Sequence, residues 1–285
     1  MKMPAFDYAC PATLSEAVAL LAAHDGDAKV LAGGQSLVPV LAFRLAAPKL
    51  LVDLRKLADL RHIRVTHEFV MLGAMVRWCD IESDARLRTA HPLLLEAVSH
   101  VAHYQIRNRG TVGGSMAHAD PAAELPGIAV ACEAEIVVMG QGGTRTIKAE
   151  DFFQGALTTA LKADEIIVEV RLPLWPVGRL WGFQEFSRRR GDFALAAAAV
   201  FYDIDTSGKV SNAHVGVIGV ADRPLRLATV ENVLNGTAID DATIAKAEAA
   251  ASAAVNPDGD IHGSAAYRKS LCGTMVERAL KMAAA

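Results

Sequence analysis

Apolar positions along the chain change their period several times. In "TLSEAVALLAAHDGD" the residues Leu14, Val18 and Leu21 recur at helical spacing. Thr13 or Ser15 stands where an N-cap belongs, and Asp25-Gly26 stops the pattern. "PAFDYACP" reads as a short strand, "AKVLAGG" and "PKLLVDL" as buried strands, and "LVPVLAFRL" as a short helix or turn. Together they predict a small α/β unit. From Ile63 the period shortens, and "IRVTHEFVMLGAMV" reads as a hairpin around His67-Glu68. "DIESDARLRTAHPLLLEAVSHVA" is helical with an interruption at Pro92. A short helix opened by Asp120-Pro121 follows, since Pro after an Asp cap favours a helix start. Strands then fall at "AEIVVMG", "TRTIKA" and "EIIVEVRLPL". Pro173, Pro176 and Gly178 mark a domain boundary. Beyond it, "LWGFQEFSRRRGDFALAAAAVFYDID" and "KVSNAHVGVIGV" precede two helices, "DATIAKAEAAASAAV" and "SAAYRKSLCGTMVERALKMAAA".

Composition narrows the function classes. A chain of 285 residues, 52% hydrophobic and 21% charged, has room for two domains with ample core. A net charge of −3 gives no footing for nucleic acid. Cys10, Cys79, Cys132 and Cys272 lie far apart and form no Cys-x-x-Cys pair, so neither a zinc nor an iron–sulfur motif is present. "MKMPAFDYACPA" lacks the apolar core of a signal peptide, and the apolar run Ala194 to Tyr202 is too short to span a bilayer. These features lead us to expect a cytoplasmic protein.

Two glycine turns carry the candidate chemistry. "VLAGGQSLVPVLAFRL" (Val30 to Leu45) and "RNRGTVGGSMAHADPAAELP" (Arg107 to Pro126) each place Gly-Gly beside a Ser. Neither has the Gly-x-Gly-x-x-Gly spacing of a Rossmann unit or the Gly-Lys-Ser/Thr of a P-loop. Successive N–H groups around such turns cup an anion, and the Ser hydroxyl adds a donor. Each turn is therefore either a plain tight turn or half of a pyrophosphate site. Asp120 reads as a helix cap and Glu124 as a first-turn acid. Phe193 reads as the start of an apolar strand. Arg188 to Arg190 read as a solvated face. His100 and His103 lack a third metal ligand nearby.

The wording of the two loops, with "DEIIVEVRLP" and "FSRRRGDFALAAAA", resembles the FAD-binding medium subunits of the molybdenum hydroxylases, the family of xanthine dehydrogenase and aerobic carbon monoxide dehydrogenase. The resemblance covers essentially the whole chain. It implies an α+β fold: a two-part FAD domain of the vanillyl-alcohol-oxidase (PCMH) type over residues 1–175, with subdomains of about 1–55 and 56–175. A smaller C-terminal α/β domain with an antiparallel sheet and helices would occupy residues 178–285.

By the same likeness, Leu31, Ala32, Gly33, Gly34, Gln35, Ser36 and Leu37 wrap the FAD pyrophosphate. Gly110, Thr111, Val112, Gly113, Gly114 and Ser115 close on it from the other side. Val101 and Ile167 match positions lining the flavin or adenine region, and Asp120 and Glu124 match contacts of the ribityl chain or its neighbourhood. Phe193 matches a position where relatives often place an aromatic residue near the isoalloxazine face, and Gln184 matches a cofactor-site position where some relatives carry Lys. Gln35 stands where many relatives have His, so the FAD is expected to be non-covalent. No catalytic residue and no metal ligand is assigned to this chain. The molybdenum cofactor and [2Fe-2S] clusters are expected in a large molybdopterin subunit and a small iron–sulfur subunit, forming a heterotrimer or its dimer. Electrons would pass from the clusters through FAD to an external acceptor, with Arg107 and Arg109 flanking a docking surface. A free-standing FAD-dependent oxidoreductase and a non-catalytic binding protein on the same fold are the alternatives.

Overall fold

The computed structural model describes residues 3–285. The first unit is a parallel sheet of β1 (Asp7–Ala9), β2 (Ala28–Leu31) and β3 (Leu50–Asp53), in the order β1-β3-β2. Thr13 caps the helix Leu14–Ala22, its hydroxyl accepting from the Glu16 N–H. That helix buries Ala17, Val18 and Leu21 against the sheet, as the spacing requires. Central β3 is buried throughout, whereas Lys29 on edge strand β2 is exposed and Val30 only half-buried.

The second unit is an antiparallel sheet. Its strands are β4 (Ile63–Val65), β5 (Phe69–Gly73), β6 (Glu135–Gly140), β7 (Gly143–Lys148) and, after the small pair β8 (Phe153–Gly155) and β9 (Thr158–Thr159), β10 (Ile166–Pro173). They order as β4-β5-β10-β6-β7. Pro92 takes the first position of the helix Pro92–His100, where its missing N–H leaves no helical bond unmade.

The expected helix start at Asp120-Pro121 is displaced. The helix runs Glu124–Ala131, and Asp120 instead closes a turn by accepting from the Ala122 N–H at 2.9 Å. The physical reason lies across the fold: the Pro121 carbonyl accepts from the Gly219 N–H at 2.9 Å, so it is engaged by the C-terminal unit.

That third unit is the antiparallel sheet β11 (Leu180–Phe186), β12 (Ala196–Ile204), β13 (Val210–Ile218) and β14 (Leu225–Arg226), paired in that order. Alternation along β12 divides two cores. Ala197, Ala199 and Phe201 face the main core, while Ala196, Ala198, Val200 and Tyr202 face the helices Asp241–Ala254 and Ala265–Ala284. Small residues are required because helices lie directly on both faces. A β-carbon on Gly182 would sit 2.0 Å from the Ala279 carbonyl, and one on Gly216 would sit 2.6 Å from the Ala131 β-carbon. Helix Glu124–Ala131 thereby joins the second unit to the third. No helix among the described residues is long and apolar enough to cross a membrane.

Candidate functional site

The two glycine loops meet. A β-carbon on Gly33 would lie 2.1 Å from the Arg109 carbonyl oxygen and 3.0 Å from the Gly110 α-carbon, so only glycine lets the backbones approach this closely. Gly34 adopts φ +76°, turning the chain away from β2. The N–H groups of Gly33 through Leu37 have no acceptor among the described residues. The Gln35 side-chain amide donates to the Gly33 carbonyl at 3.2 Å, holding the turn. Leu31 and Ala32 deliver the chain to this turn from the carboxyl end of β2, where parallel sheets characteristically seat ligands. Ser36 precedes the helix Leu37–Ala42 without capping it, which leaves its hydroxyl available. A half-buried row of unbonded N–H groups beside a free hydroxyl is a donor set suited to a pyrophosphate.

The second loop is built differently. Thr111 caps the helix Val112–His118, its hydroxyl accepting from the Gly114 N–H at 3.2 Å. The Val112 N–H donates to the Val76 carbonyl, Gly113 N–H to Ala74 and Ser115 N–H to Thr111. The loop therefore offers no second row of free N–H groups. Its glycines permit close packing: a β-carbon at Gly113 would meet the Ala74 β-carbon at 2.6 Å, and one at Gly110 would meet the Trp78 indole nitrogen at 2.7 Å. Gly114 faces Ala32 of the first loop. One loop is a cradle and the other is the wall it leans on.

The remaining candidates separate. Glu124 and Asp120 lie just beyond the second loop, and Val101 follows the helix Pro92–His100 with its carbonyl accepting from Arg107. Ile167 is buried in the main core. Gln184 donates to the Met282 sulfur at 3.5 Å, which turns it toward the C-terminal helix. Phe193 precedes β12 rather than starting it and is 63% exposed, so it is not a core residue. Arg107 is tied to Glu82 at 3.0 Å and to the Val101 and Ala102 carbonyls, while the Arg109 side chain is exposed.

The residue missed in the sequence is Glu185. Strand alternation points it to the face opposite Gln184. There it lines a cleft of about 320 Å³ with Ser99, His100, Ser187 and Arg190. Burial pushes its carboxyl up to about 8, and the nearby Glu124 adds to the effect. Glu124 is itself raised to about 7 by burial, against a backbone hydrogen bond of its own that opposes the shift, with Asp120 adding a smaller push upward. An acid inside the apolar run "LWGFQEF" is the sequence signal that marks it.

Comparison with known proteins now decides the family. Residues 4–175 match the model for the FAD binding domain in molybdopterin dehydrogenase, and residues 181–283 match that for the CO dehydrogenase flavoprotein C-terminal domain. The chain belongs to the flavoprotein family of the molybdopterin dehydrogenases. A family member from Paenarthrobacter nicotinovorans, the 6-hydroxypseudooxynicotine dehydrogenase complex subunit alpha, is 40% identical over 99% of this chain and 96% of its own. The carbon monoxide dehydrogenase medium chain of Hydrogenophaga pseudoflava is 38% identical, covering 98% of this chain and 97% of its own. Among solved structures, quinoline 2-oxidoreductase from Pseudomonas putida 86 superposes with a TM-score of 0.95 at 39% identity, over 100% of this chain and 98% of the other. Within this family the chain is an oxidoreductase component, and the arrangement of FAD domain followed by flavoprotein C-terminal domain is that of its relatives.

Proposed function

We propose that this chain is the FAD-binding medium subunit of a molybdenum hydroxylase. It takes electrons from the [2Fe-2S] clusters of a small subunit and passes them to an external acceptor, while substrate is oxidised at the molybdopterin centre of a large subunit. The observation that carries this reading is the row of unbonded N–H groups from Gly33 to Leu37, pressed against Arg109-Gly110. Those groups and the Ser36 hydroxyl hold the pyrophosphate, and the second loop from Gly110 to Ser115 closes over it. Bound FAD would supply a redox centre able to collect electrons one at a time from the clusters and to release them to its acceptor. The protein contributes binding, orientation and the exclusion of water. We place the domain limits at residues 1–175 and 178–285 and the working assembly in the cytoplasm.

The polar cleft at Glu185 is the one observation favouring a free-standing oxidoreductase, because it offers polar groups that a substrate would need. A substrate-reduction assay on the isolated chain separates the two readings.

Flavin attachment gives a direct test. Purified protein is expected to carry one FAD per chain and to release it into the supernatant on acid precipitation, since no side chain of the cradle is a flavin-linking His. Flavin that stays with the precipitated polypeptide would contradict the non-covalent assignment. Failure of flavin-free protein to take up FAD would contradict the cradle itself.

A further inference from the structure

The cleft holds an unpaired acid. The Glu185 Oε2 atom is buried and has no hydrogen-bond partner among the described residues. Antiparallel pairing sets Glu185 opposite Ala197, and Ala197 shares the wall of a smaller cavity with Glu124 and Phe183. Glu124 begins the helix that lies on this sheet, and Asp120 sits in the turn before it. The three carboxyls thus run in order from the end of the second glycine loop to the cleft.

The basic side chains around them are engaged elsewhere or face solvent. His100 pairs with Glu96 at 3.5 Å and packs edge-on against Phe183. Arg188 is held by His262 at 2.9 Å, and the Arg190 side chain is exposed at the cleft rim. His103 packs against Gly191 on the same rim. Neither Glu124 nor Glu185 has a salt-bridge partner among the described residues. A buried carboxylate oxygen without a donor is costly, and protonation removes that cost. Glu124 brings a second carboxyl close to Glu185, and two carboxyls beside each other do not both ionise readily.

We propose that Glu124 and Glu185 share a proton at neutral pH and take up a further one when negative charge arrives in the cleft, so that reduction of bound FAD draws a proton into the protein. This rests on the reading that FAD binds across these loops. The balance is simple. Two electrons from the partner clusters would reduce the bound flavin together with one proton of the flavin's own, leaving one net negative charge. One further proton enters from solvent through the cleft and forms an O–H bond on a carboxylate. Added negative charge raises a neighbouring carboxyl's proton affinity, so uptake accompanies reduction and the potential falls more steeply as pH rises. For a two-electron couple one extra proton steepens that fall by up to about 30 mV per pH unit.

The test has two arms. Infrared spectra of the flavin-free chain at neutral pH are expected to show a protonated-carboxyl band that is absent from the Glu124→Gln/Glu185→Gln double variant. Identical carboxyl absorption in the two proteins would overturn the shared proton. Potentiometry of the FAD-loaded protein is expected to give a steeper pH dependence for the natural chain than for the double variant, between about pH 6 and 9. Parallel dependences would overturn the coupling. A carboxyl band together with no bound flavin would overturn the FAD reading, and with it the coupling, while leaving the proton-sharing pair standing. Circular dichroism of the double variant confirms that it is folded.

Discussion

Replacing Gly33 with valine is expected to strip the chain of FAD while leaving its secondary structure in place. The new β-carbon would lie 2.1 Å from the Arg109 carbonyl oxygen and 2.9 Å from its carbonyl carbon, and both are backbone atoms. No rotamer change relieves that overlap, so the first loop must move off the second. Displacement scatters the N–H groups of Gly33 to Leu37, the row we propose as the phosphate cradle. We expect at least a hundredfold loss of FAD affinity, about 2.7 kcal/mol. Gly114→Val is expected to do less, because the nearest atom to its β-carbon is the Thr111 hydroxyl, at the end of a side chain. Flavin-to-protein ratio and fluorescence titration measure both. Full flavin retention in Gly33→Val would remove the cradle from the account.

The second large effect concerns Arg268, which joins the last helix to the rim of the cleft. Only 8% exposed, it donates to the Leu195 carbonyl at 2.9 Å and the Gly219 carbonyl at 2.8 Å, and it pairs with Asp260 at 2.8 Å. Leu195 ends the segment that carries Arg190 and Phe193, and Gly219 is the residue whose N–H holds Pro121. Arg268→Ala leaves two carbonyls without their donor and is expected to cost about 2–4 kcal/mol. That corresponds to a fall in melting temperature on the order of 5–10 °C. Arg268→Lys is expected to recover only part of this, because an ammonium lacks the planar fork that spans three acceptors. A melting temperature unchanged in Arg268→Ala would show that water replaces the guanidinium without loss.

Much of this architecture is legible in the residues, and the exceptions have physical causes. The Thr13 cap, the helical stripe of Leu14, Val18 and Leu21, and the hairpin around His67-Glu68 follow from local pattern alone. Local pattern also brings out both glycine turns. It does not reveal that they differ, because the acceptors at Ala74 and Val76, just past the end of β5, that engage the second loop's N–H groups are distant in sequence. Nor does it settle whether Gln184 or Glu185 faces the cleft, since both sit in one strand and only pairing with Ala197 and Ala198 decides. The start of the helix at Glu124 depends on a bond from Gly219, far along the chain. In each case a long-range hydrogen bond overrides a short-range preference.

The central claim is that this chain relays electrons and does not itself oxidise an organic substrate. Its most direct test is anaerobic reduction of the flavin-loaded chain, followed by visible absorbance, first alone and then with copurifying subunits. Aldehydes, N-heterocycles and carbon monoxide are the substrates to try. The account predicts no bleaching of the flavin by any of them in the isolated chain, and bleaching by the complex's own substrate once the cluster-bearing and molybdopterin subunits are restored. Substrate-dependent bleaching by the chain alone would contradict it and establish a free-standing oxidoreductase.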